Sequence, residues 1–330
     1  MLRSFVVAAA LAACLAASVA AAQYKIMIVT WRGCEQACQG FQDYLSGHGV
    51  GAEFILRDAG KMKESLPGFL AEARAEGVDL ILTWGTSVTR GIAGTLAELG
   101  DPALNHDIPQ VFTIVADPVG AGIVESLDHT SRPNITGTFN RVPEAVNIET
   151  IRAYLPSFKR LGLLYNTNEK NSVLKRDEVA ALTGSMGFEL ITRELPLGDD
   201  GKPRVEDIAP KMAELQAAGV DFLYLGSSSF LRNSPDVVTG AALENGIPVL
   251  SPYERLVRES QALISVAARY NDVGRLAGGL AEKILVDGVA PGDLPVARMT
   301  NFAVVINMGV ARKLKLFPPL DLLQIAETVN

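Results

Sequence analysis

The sequence has few of the residues that build most catalytic and metal centres. It contains three cysteines and three histidines in 330 residues. The histidines, His48, His106 and His129, are predicted at a helix end, in a loop and in a turn, and none follows a predicted strand. The sequence also lacks a G-x-S-x-G motif, zinc-type ligand spacings and a dinucleotide or P-loop motif. An exported α/β hydrolase is therefore the least favoured function, and we expect no enzyme activity, no cofactor and no metal site.

Long apolar segments are equally scarce, and the one present lies at the N-terminus. An apolar run over residues 5–19 precedes a small-residue cleavage site at residues 20–22. The run is shorter than the roughly 20 residues that span a bilayer. Residues 1–22 are therefore predicted to be a signal peptide that exports the protein to the periplasm. Cys14 also lies in a lipoprotein cleavage motif, so anchoring at Cys14 is the alternative.

The chain has no excess of positive charge. Its formal net charge of −7 becomes −8 when Arg3 leaves with the signal peptide, and 48% of its residues are hydrophobic. An acidic chain gives no reason to expect a nucleic-acid partner, and the hydrophobic content argues against disorder. We expect a compact monomer whose partner is a small molecule.

Two cysteines, Cys34 and Cys38, remain in the exported chain, where conditions are oxidising. Cα atoms one helical turn apart are near the upper limit for a disulfide, so a bond requires Cys34 to lie in the loop before the helix. Gly33 permits such a loop. A disulfide is the preferred interpretation, with free thiols and then metal binding as the alternatives.

Predicted strands and helices alternate in two successive sets, which indicates βαβ units on parallel sheets. Each set is too short for an eight-unit barrel, so two similar lobes are expected. The first set has strands at residues 24–30, 51–57, 78–83, 111–115 and 135–137, with helices at 35–48, 65–76 and 86–99. The second has strands at 160–165, 189–194, 221–225 and 247–250, with helices at 147–155, 173–186, 205–218 and 234–245. The tail adds strands at 262–267 and 302–306 and helices at 273–287 and 310–315.

The stretch from Val111 to Gly137 marks a ligand site. A buried-type strand runs into Asp117-Pro118, which cannot continue a central strand, and Gly120 relaxes the turn that follows. In open parallel sheets, ligands bind at such carboxyl ends of strands. Asp117 either binds the ligand or holds this loop by accepting backbone hydrogen bonds.

Three sequence segments carry a family resemblance. They are DPVGAGIVESL followed by PNITG, IPVLSPYERLV through YNDVGRLAGGLAEKIL, and DLPVARMTNFAVVINMGVARKLKL. In this order they resemble the substrate-binding proteins of ABC transporters, the group that includes tryptophan- and tyrosine-type solute receptors. The resemblance implies an ABC permease in the inner membrane as the partner. A ligand sensor that docks on a membrane sensor kinase or chemoreceptor is the alternative.

The resemblance also implies a type I periplasmic-binding fold, in which two Rossmann-like α/β lobes with parallel sheets are joined by a three-strand hinge. The N-terminal lobe is expected to comprise residues 23–139 and 265–300, and the C-terminal lobe residues 140–264 and 301–330. Chain crossings are assigned near residues 137–141, 264–268 and 299–302. Such a hinge permits closure with few rotating residues.

Candidate ligand contacts follow predicted strands in both lobes. Trp31 and Trp84 would be pocket walls or core side chains, and the Gly85, Thr86 and Ser87 turn would offer N–H groups and hydroxyls or serve only as a helix cap. The other candidates are Asn140 at the first crossing and Tyr165, Asn166, Ser227, Ser228, Ser229 and Tyr253 in the second lobe.

Position 228 departs from the family pattern. Family members that bind amino acids commonly have an acidic residue there, whereas this chain has Ser228. The usual partner of a ligand ammonium group is therefore missing. We expect a small aromatic or planar polar ligand and weak binding of free aromatic amino acids.

Overall fold

The computed structural model describes residues 23–330. The signal peptide and the Cys14 alternative lie outside these residues. Within residues 23–330, no helix is both long enough and apolar enough to cross a membrane.

The first sheet has six strands, all parallel, in the order β11-β5-β4-β3-β1-β2. Apolar residues alternate in β1, so that Ile26 and Ile28 pack in one core and Met27 and Val29 in the other. Helices α1 and α10 cover the first of these faces, and α2 and α3 cover the second. The strands are β1 (Tyr24–Thr30), β2 (Ala52–Asp58), β3 (Leu80–Trp84), β4 (Gln110–Thr113), β5 (Ile135–Phe139) and β11 (Ala297–Arg298). The helices are α1 (Gln36–Gly47), α2 (Leu66–Glu76), α3 (Thr86–Ala93) and α10 (Tyr270–Leu285).

The second sheet has seven strands in the order β13-β12-β10-β9-β8-β6-β7. Its pairs are parallel except for β10 with β12, which are antiparallel, so the expected parallel sheet is mostly parallel. The strands are β6 (Arg160–Tyr165), β7 (Glu189–Glu194), β8 (Phe222–Tyr224), β9 (Val249–Ser251), β10 (Ile264–Ala267), β12 (Ala303–Asn307) and β13 (Ala326–Val329). The helices are α4 (Glu144–Tyr154), α5 (Lys170–Met186), α6 (Ile208–Ala217), α7 (Ser229–Asn233), α8 (Pro235–Glu244), α9 (Glu254–Arg258), α11 (Met308–Leu314) and α12 (Leu320–Ile325).

Three segments join the two sheets. Residues 140–143 lead from β5 to α4, residues 268–269 from β10 to α10, and residues 299–302 from β11 to β12. The fold is thus α/β with two Rossmann-like halves connected three times.

Helix α10 returns from the second sheet and packs tightly on α1 in the first half. Glycines make this approach possible: a Cβ on Gly40 would lie 2.1 Å from the Asn271 carbonyl oxygen, and one on Gly274 would lie 2.0 Å from that of Ala37. Because only a residue without a side chain fits there, the glycines of the GRLAGGL segment fix the position of α10.

Several predicted bounds differ from the structure for local reasons. The helix expected over residues 86–99 ends at Ala93, because Gly94 adopts φ +68°, and a short 3₁₀ turn at Leu96–Glu98 follows. The strand expected over residues 111–115 ends at Thr113, because Ile114 adopts a left-handed φ of +55°. The sequence pattern did not predict α7, α9, α12, β11 or β13. The three helices have six residues or fewer, which is less than two turns and too short to show a helical period.

Candidate functional site

A cavity of about 250 Å³ lies between the two sheets, where strands of both sheets end. The segment after β4 in the first sheet forms part of its wall, as do the segments after β8, β9 and β10 in the second sheet. The first connecting segment and the N-terminal turns of α4 and α5 complete the wall. The lining residues are Ala116, Asp117, Asn140, Arg141, Val142, Glu144, Asn147, Asn171, Leu174, Lys175, Tyr224, Ser227, Pro252, Tyr253, Ala267, Ala268 and Tyr270.

Asp117 reaches this cavity through an unusual backbone turn. The left-handed conformation of Ile114 is strained for a β-branched residue, and strain of this kind concentrates at functional sites. Asp117 Oδ1 accepts a hydrogen bond of 2.8 Å from the Gly120 N–H. The carboxylate therefore holds the loop and also lines the cavity.

A cluster of charged side chains forms the part of the wall supplied by α4 and α5. The Lys175 ammonium contacts the Glu144 carboxylate and lies 2.8 Å from Glu178 Oε2. Arg141 donates to Glu178 at 2.5 Å and lies 3.8 Å from Glu144. Although burial opposes ionisation of Glu178, Lys175 and Arg141 hold the pKa of its carboxyl below its usual value. Both cations of the lining are thus already paired.

Two asparagine side chains of the lining have oxygen atoms without partners. Asn147 is 1% exposed, and its Nδ2 donates to Glu144 Oε2 and to the Tyr224 hydroxyl, each at 3.4 Å. Because a carboxylate only accepts, this contact fixes which Asn147 atom is the amide nitrogen. Asn147 Oδ1 and Asn140 Oδ1 are buried and have no hydrogen-bond partner within residues 23–330. A buried oxygen without a donor is costly, so a bound donor would stabilise both.

Aromatic residues also line the cavity. Tyr253 and Tyr270 both line it, and burial raises the pKa of each phenol. The Arg232 guanidinium lies 5.6 Å from the centre of the Tyr253 ring, a cation–π distance. These rings offer faces for a planar ligand, with neutral hydroxyls at their tips.

Among the sequence-predicted site residues, four line the cavity: Asp117, Asn140, Ser227 and Tyr253. Trp31 and Trp84 do not. Trp31 is partly buried against the core shared with α2 and α3. Trp84 is 7% exposed, the Arg32 guanidinium lies 5.5 Å from its ring, and its buried Nε1 has no partner in the described chain.

The turn after β3, which comprises Gly85, Thr86 and Ser87, opens helix α3 as predicted, but these residues do not line the cavity. Gly85 has φ +89° and its N–H donates to the Thr113 carbonyl at 2.9 Å, so this position requires glycine. Thr86 and Ser87 line a separate shallow depression on the first half, together with Lys63 and Arg90.

Asn166 and Ser228 belong to an internal network. Both are buried, and the Ser228 hydroxyl donates to Asn166 Oδ1 at 2.7 Å and accepts from the Leu231 N–H at 3.2 Å, capping α7. The Glu169 carboxylate accepts from the N–H groups of Ser229 (2.7 Å) and Phe230 (3.0 Å).

Position 228 therefore does not contribute to the cavity lining in this structure. The expectation of weak amino-acid binding rested on position 228 alone. Asn147 and Asn140 supply acceptor oxygens elsewhere in the lining.

Tyr165 is the last residue of β6 in the second sheet and does not line the cavity. Its hydroxyl donates to Glu194 at 3.1 Å, and the Arg176 guanidinium lies 4.7 Å from its ring. These contacts give the side chain a packing role in the structure.

Cys34 lies in the loop before α1 and Cys38 in the first turn of that helix, as a disulfide requires. Their sulfur atoms are adjacent, and their Cα atoms are 5.2 Å apart, inside the range for disulfides.

The sequence interpretation missed most of the cavity wall on α4, α5 and β8. One signal was available: Lys175 lies between Ser172 and Val179 on the buried face of α5, where an apolar residue is usual. Tyr224 was a second signal, because it places a phenolic hydroxyl in a strand that is buried on both faces.

Comparisons with known proteins match this architecture. The family model for the ABC transporter substrate binding protein matches residues 25–330. The chain therefore belongs to this family of solute-binding proteins.

Two curated relatives share 28% and 24% sequence identity with this chain over the matched residues. A tyrosine-binding protein from Clostridioides difficile (strain R20291) is 28% identical over 208 residues, which are 63% of this chain and 57% of that protein. The chain thus spans less than two thirds of that relative. An uncharacterized protein from Rickettsia prowazekii (strain Madrid E) is 24% identical over 270 residues, 82% of this chain and 77% of the relative.

Solved structures share the fold. The ligand-free, open structure of a substrate binding protein with adhesive properties from Clostridium difficile has a TM-score of 0.81 at 24% identity, covering 93% of this chain and 99% of that one. An ABC domain in complex with L-Trp from Streptococcus pneumonia has a TM-score of 0.63 at 23% identity, covering 92% and 100%. The fold is therefore that of type I periplasmic-binding proteins.

Proposed function

We propose that this protein is an exported receptor that captures a small solute in the cavity between its two sheets and delivers it to the permease of an ABC importer. The observation that carries the proposal is the cavity itself, walled by both halves and by the connecting segments. Family membership supports it, because the family consists of solute-binding proteins of ABC transporters. No catalytic step is needed for this function.

The proposed ligand is aromatic or planar and polar. Tyr253 and Tyr270 supply ring faces, and Asn140, Asn147 and Ser227 supply neutral hydrogen-bonding groups. The relative named for tyrosine and the neighbour that holds L-Trp support an aromatic ligand.

We further propose lobes at residues 23–139 with 265–300 and at 140–264 with 301–330, which rotate about the three connecting segments. Closure would bring Trp31, Trp84 and the turn at residues 85–87 toward a ligand held in the cavity. These two residues are the only tryptophans in the sequence. Their fluorescence therefore reports on this movement, and a saturable change on ligand addition is expected.

A disulfide between Cys34 and Cys38 is part of the proposal, since both residues would lie in the periplasm. It would hold the loop that carries Arg32 against the start of α1. Mass spectrometry of alkylated protein, with and without reduction, tests this: the unreduced protein should take up no label at either cysteine.

The function is tested by a thermal-shift screen of the exported protein over amino acids, aromatic acids and amines, purines and small amides. A ligand that binds only the folded protein raises its melting temperature. Tyr253→Ala should remove the shift, whereas Tyr24→Ala, at the far end of the first sheet, should retain it. Delivery is tested by uptake of the labelled ligand, which should fall when the gene for this protein is deleted. Turnover of a screened compound would contradict the proposal.

A further inference from the structure

The charged groups of the cavity lining differ in whether they form ion pairs. Arg141 and Lys175 are each paired with carboxylates, and Lys175 is almost fully buried. Asp117, by contrast, forms no ion pair with any residue that the structure describes, and within residues 23–330 its carboxylate accepts a hydrogen bond from the Gly120 N–H alone. The one unpaired charge in the lining is therefore negative.

The neutral groups of the lining also favour a ligand that donates hydrogen bonds. Asn147 Oδ1 and Asn140 Oδ1 are buried acceptors with no donor among residues 23–330. The orientation of Asn147 is fixed, because turning the amide would place its oxygen against the Glu144 carboxylate. A ligand that donates N–H groups satisfies both oxygens, whereas an acceptor group would add repulsion.

We propose that the cavity selects a ligand with a cationic amine, an aromatic amine in the simplest case, whose N–H groups donate to Asp117, Asn140 and Asn147. This inference rests on the proposed capture of a solute in this cavity and names its chemical class. A ligand carboxylate contributes little, because Arg141 and Lys175 are already neutralised by Glu144 and Glu178. The ammonium partner that is missing at position 228 is thus supplied from the segments after β4 and β5 and from α4.

The test compares matched compounds on the wild-type protein by calorimetry. Tryptamine and tyramine carry the amine without a carboxylate, whereas indole-3-propionate and 3-(4-hydroxyphenyl)propionate carry the carboxylate without the amine. We expect at least one amine to bind and its acid counterpart to bind at least tenfold more weakly. An acid that binds as tightly as its amine overturns the inference.

Variants test the residues. Asp117→Asn keeps the acceptor for the Gly120 N–H and removes the charge, so the affinity for the amine should fall about tenfold. Asp101→Asn is the matched control, since Asp101 Oδ1 also accepts a loop N–H, from Ala103 at 2.9 Å, outside the cavity. Asn140→Leu should also lower the affinity for the amine about tenfold. Amine affinity that is unchanged in both cavity variants, with melting temperatures of the free proteins intact, overturns the assignment.

The screen separates this inference from the proposed function. If only compounds without a cationic nitrogen raise the melting temperature, solute capture stands and the amine assignment is wrong. If no compound of the screen and neither amine binds, both are contradicted.

Discussion

The ammonium of Lys175 lies 2.8 Å from the Glu178 carboxylate while it also contacts Glu144, so this buried cation is shared by two acids. Lys175 is 4% exposed and Glu144 is 9% exposed. Charges this deep are tolerated because each has a partner. The cluster therefore leaves no free cation in the part of the cavity lining formed by Arg141 and Lys175.

Lys175→Met should destabilise the protein strongly, because it leaves the buried Glu144 carboxylate with only the more distant Arg141 guanidinium, 3.8 Å away, as a cation. We expect the free energy of unfolding to fall by about 3–5 kcal/mol, measured by urea denaturation. The double variant Lys175→Met with Glu144→Gln should regain much of this loss. A single variant as stable as the wild type would contradict the ion-pair assignment.

Ser228→Ala should remove the cap of α7 and the hydrogen bond to Asn166. The expected cost is about 1–2 kcal/mol in the free energy of unfolding. Ser227→Ala is the control, because the Ser227 hydroxyl has no hydrogen bond to a described residue, and it should change stability by less than about 0.5 kcal/mol. Equal effects of the two substitutions would show that the network is not formed.

Glu169 makes stability depend on acid pH. Burial opposes its ionisation, but hydrogen bonds from the Ser229 and Phe230 N–H groups and from side chains, including that of Asn166, together outweigh burial and lower its pKa below the ordinary 4.5. The contribution is therefore complete above pH 4.5 and is lost as the pH falls through the lowered value. Glu169→Gln should be less stable than the wild type near neutral pH and lose less stability between pH 5 and about 3.

The control for this experiment is Glu64→Gln, because Glu64 is exposed on the surface. Its unfolding free energy should follow the wild-type curve. A Glu169→Gln curve parallel to the wild type at every pH would refute the role of this carboxylate.

Gly40→Ala should force α1 and α10 apart, because the new Cβ would lie 2.1 Å from the Asn271 carbonyl oxygen. We expect a loss of more than about 2 kcal/mol. Gly47→Ala, in the same helix but with nothing within 4 Å of the new Cβ, should be neutral or stabilising by up to about 1 kcal/mol. Thermal unfolding of the two variants measures the difference, and similar melting temperatures would contradict the close packing.

Much of the fold followed from local sequence signals. Apolar runs such as residues 24–30 predicted central strands, and Asp117-Pro118 marked a strand end on the cavity. These features depend on neighbours in sequence, so periodicity and turn chemistry suffice. The antiparallel β10–β12 pair was not predicted, because strand direction depends on where a connection returns.

The candidate site was less predictable for a related reason. Strand ends indicated Asp117, Asn140, Ser227 and Tyr253, but the rest of the wall comes from side chains far apart in sequence. The pairing of Glu144 with Lys175 joins two helices, and no single-segment pattern reveals it. Ser228 was predicted to contact the ligand because it follows a strand. In the structure its hydroxyl instead donates a hydrogen bond to Asn166 inside the protein.

The most direct test of the account is a crystal structure with the compound that gives the largest thermal shift. We predict electron density for the compound in the cavity between the two sheets, with a ring against Tyr253 and a nitrogen within hydrogen-bond distance of Asp117 or Asn147. Density only in another part of the molecule, farther than a side-chain length from both Tyr253 and Asp117, would contradict the claim that this cavity captures the solute.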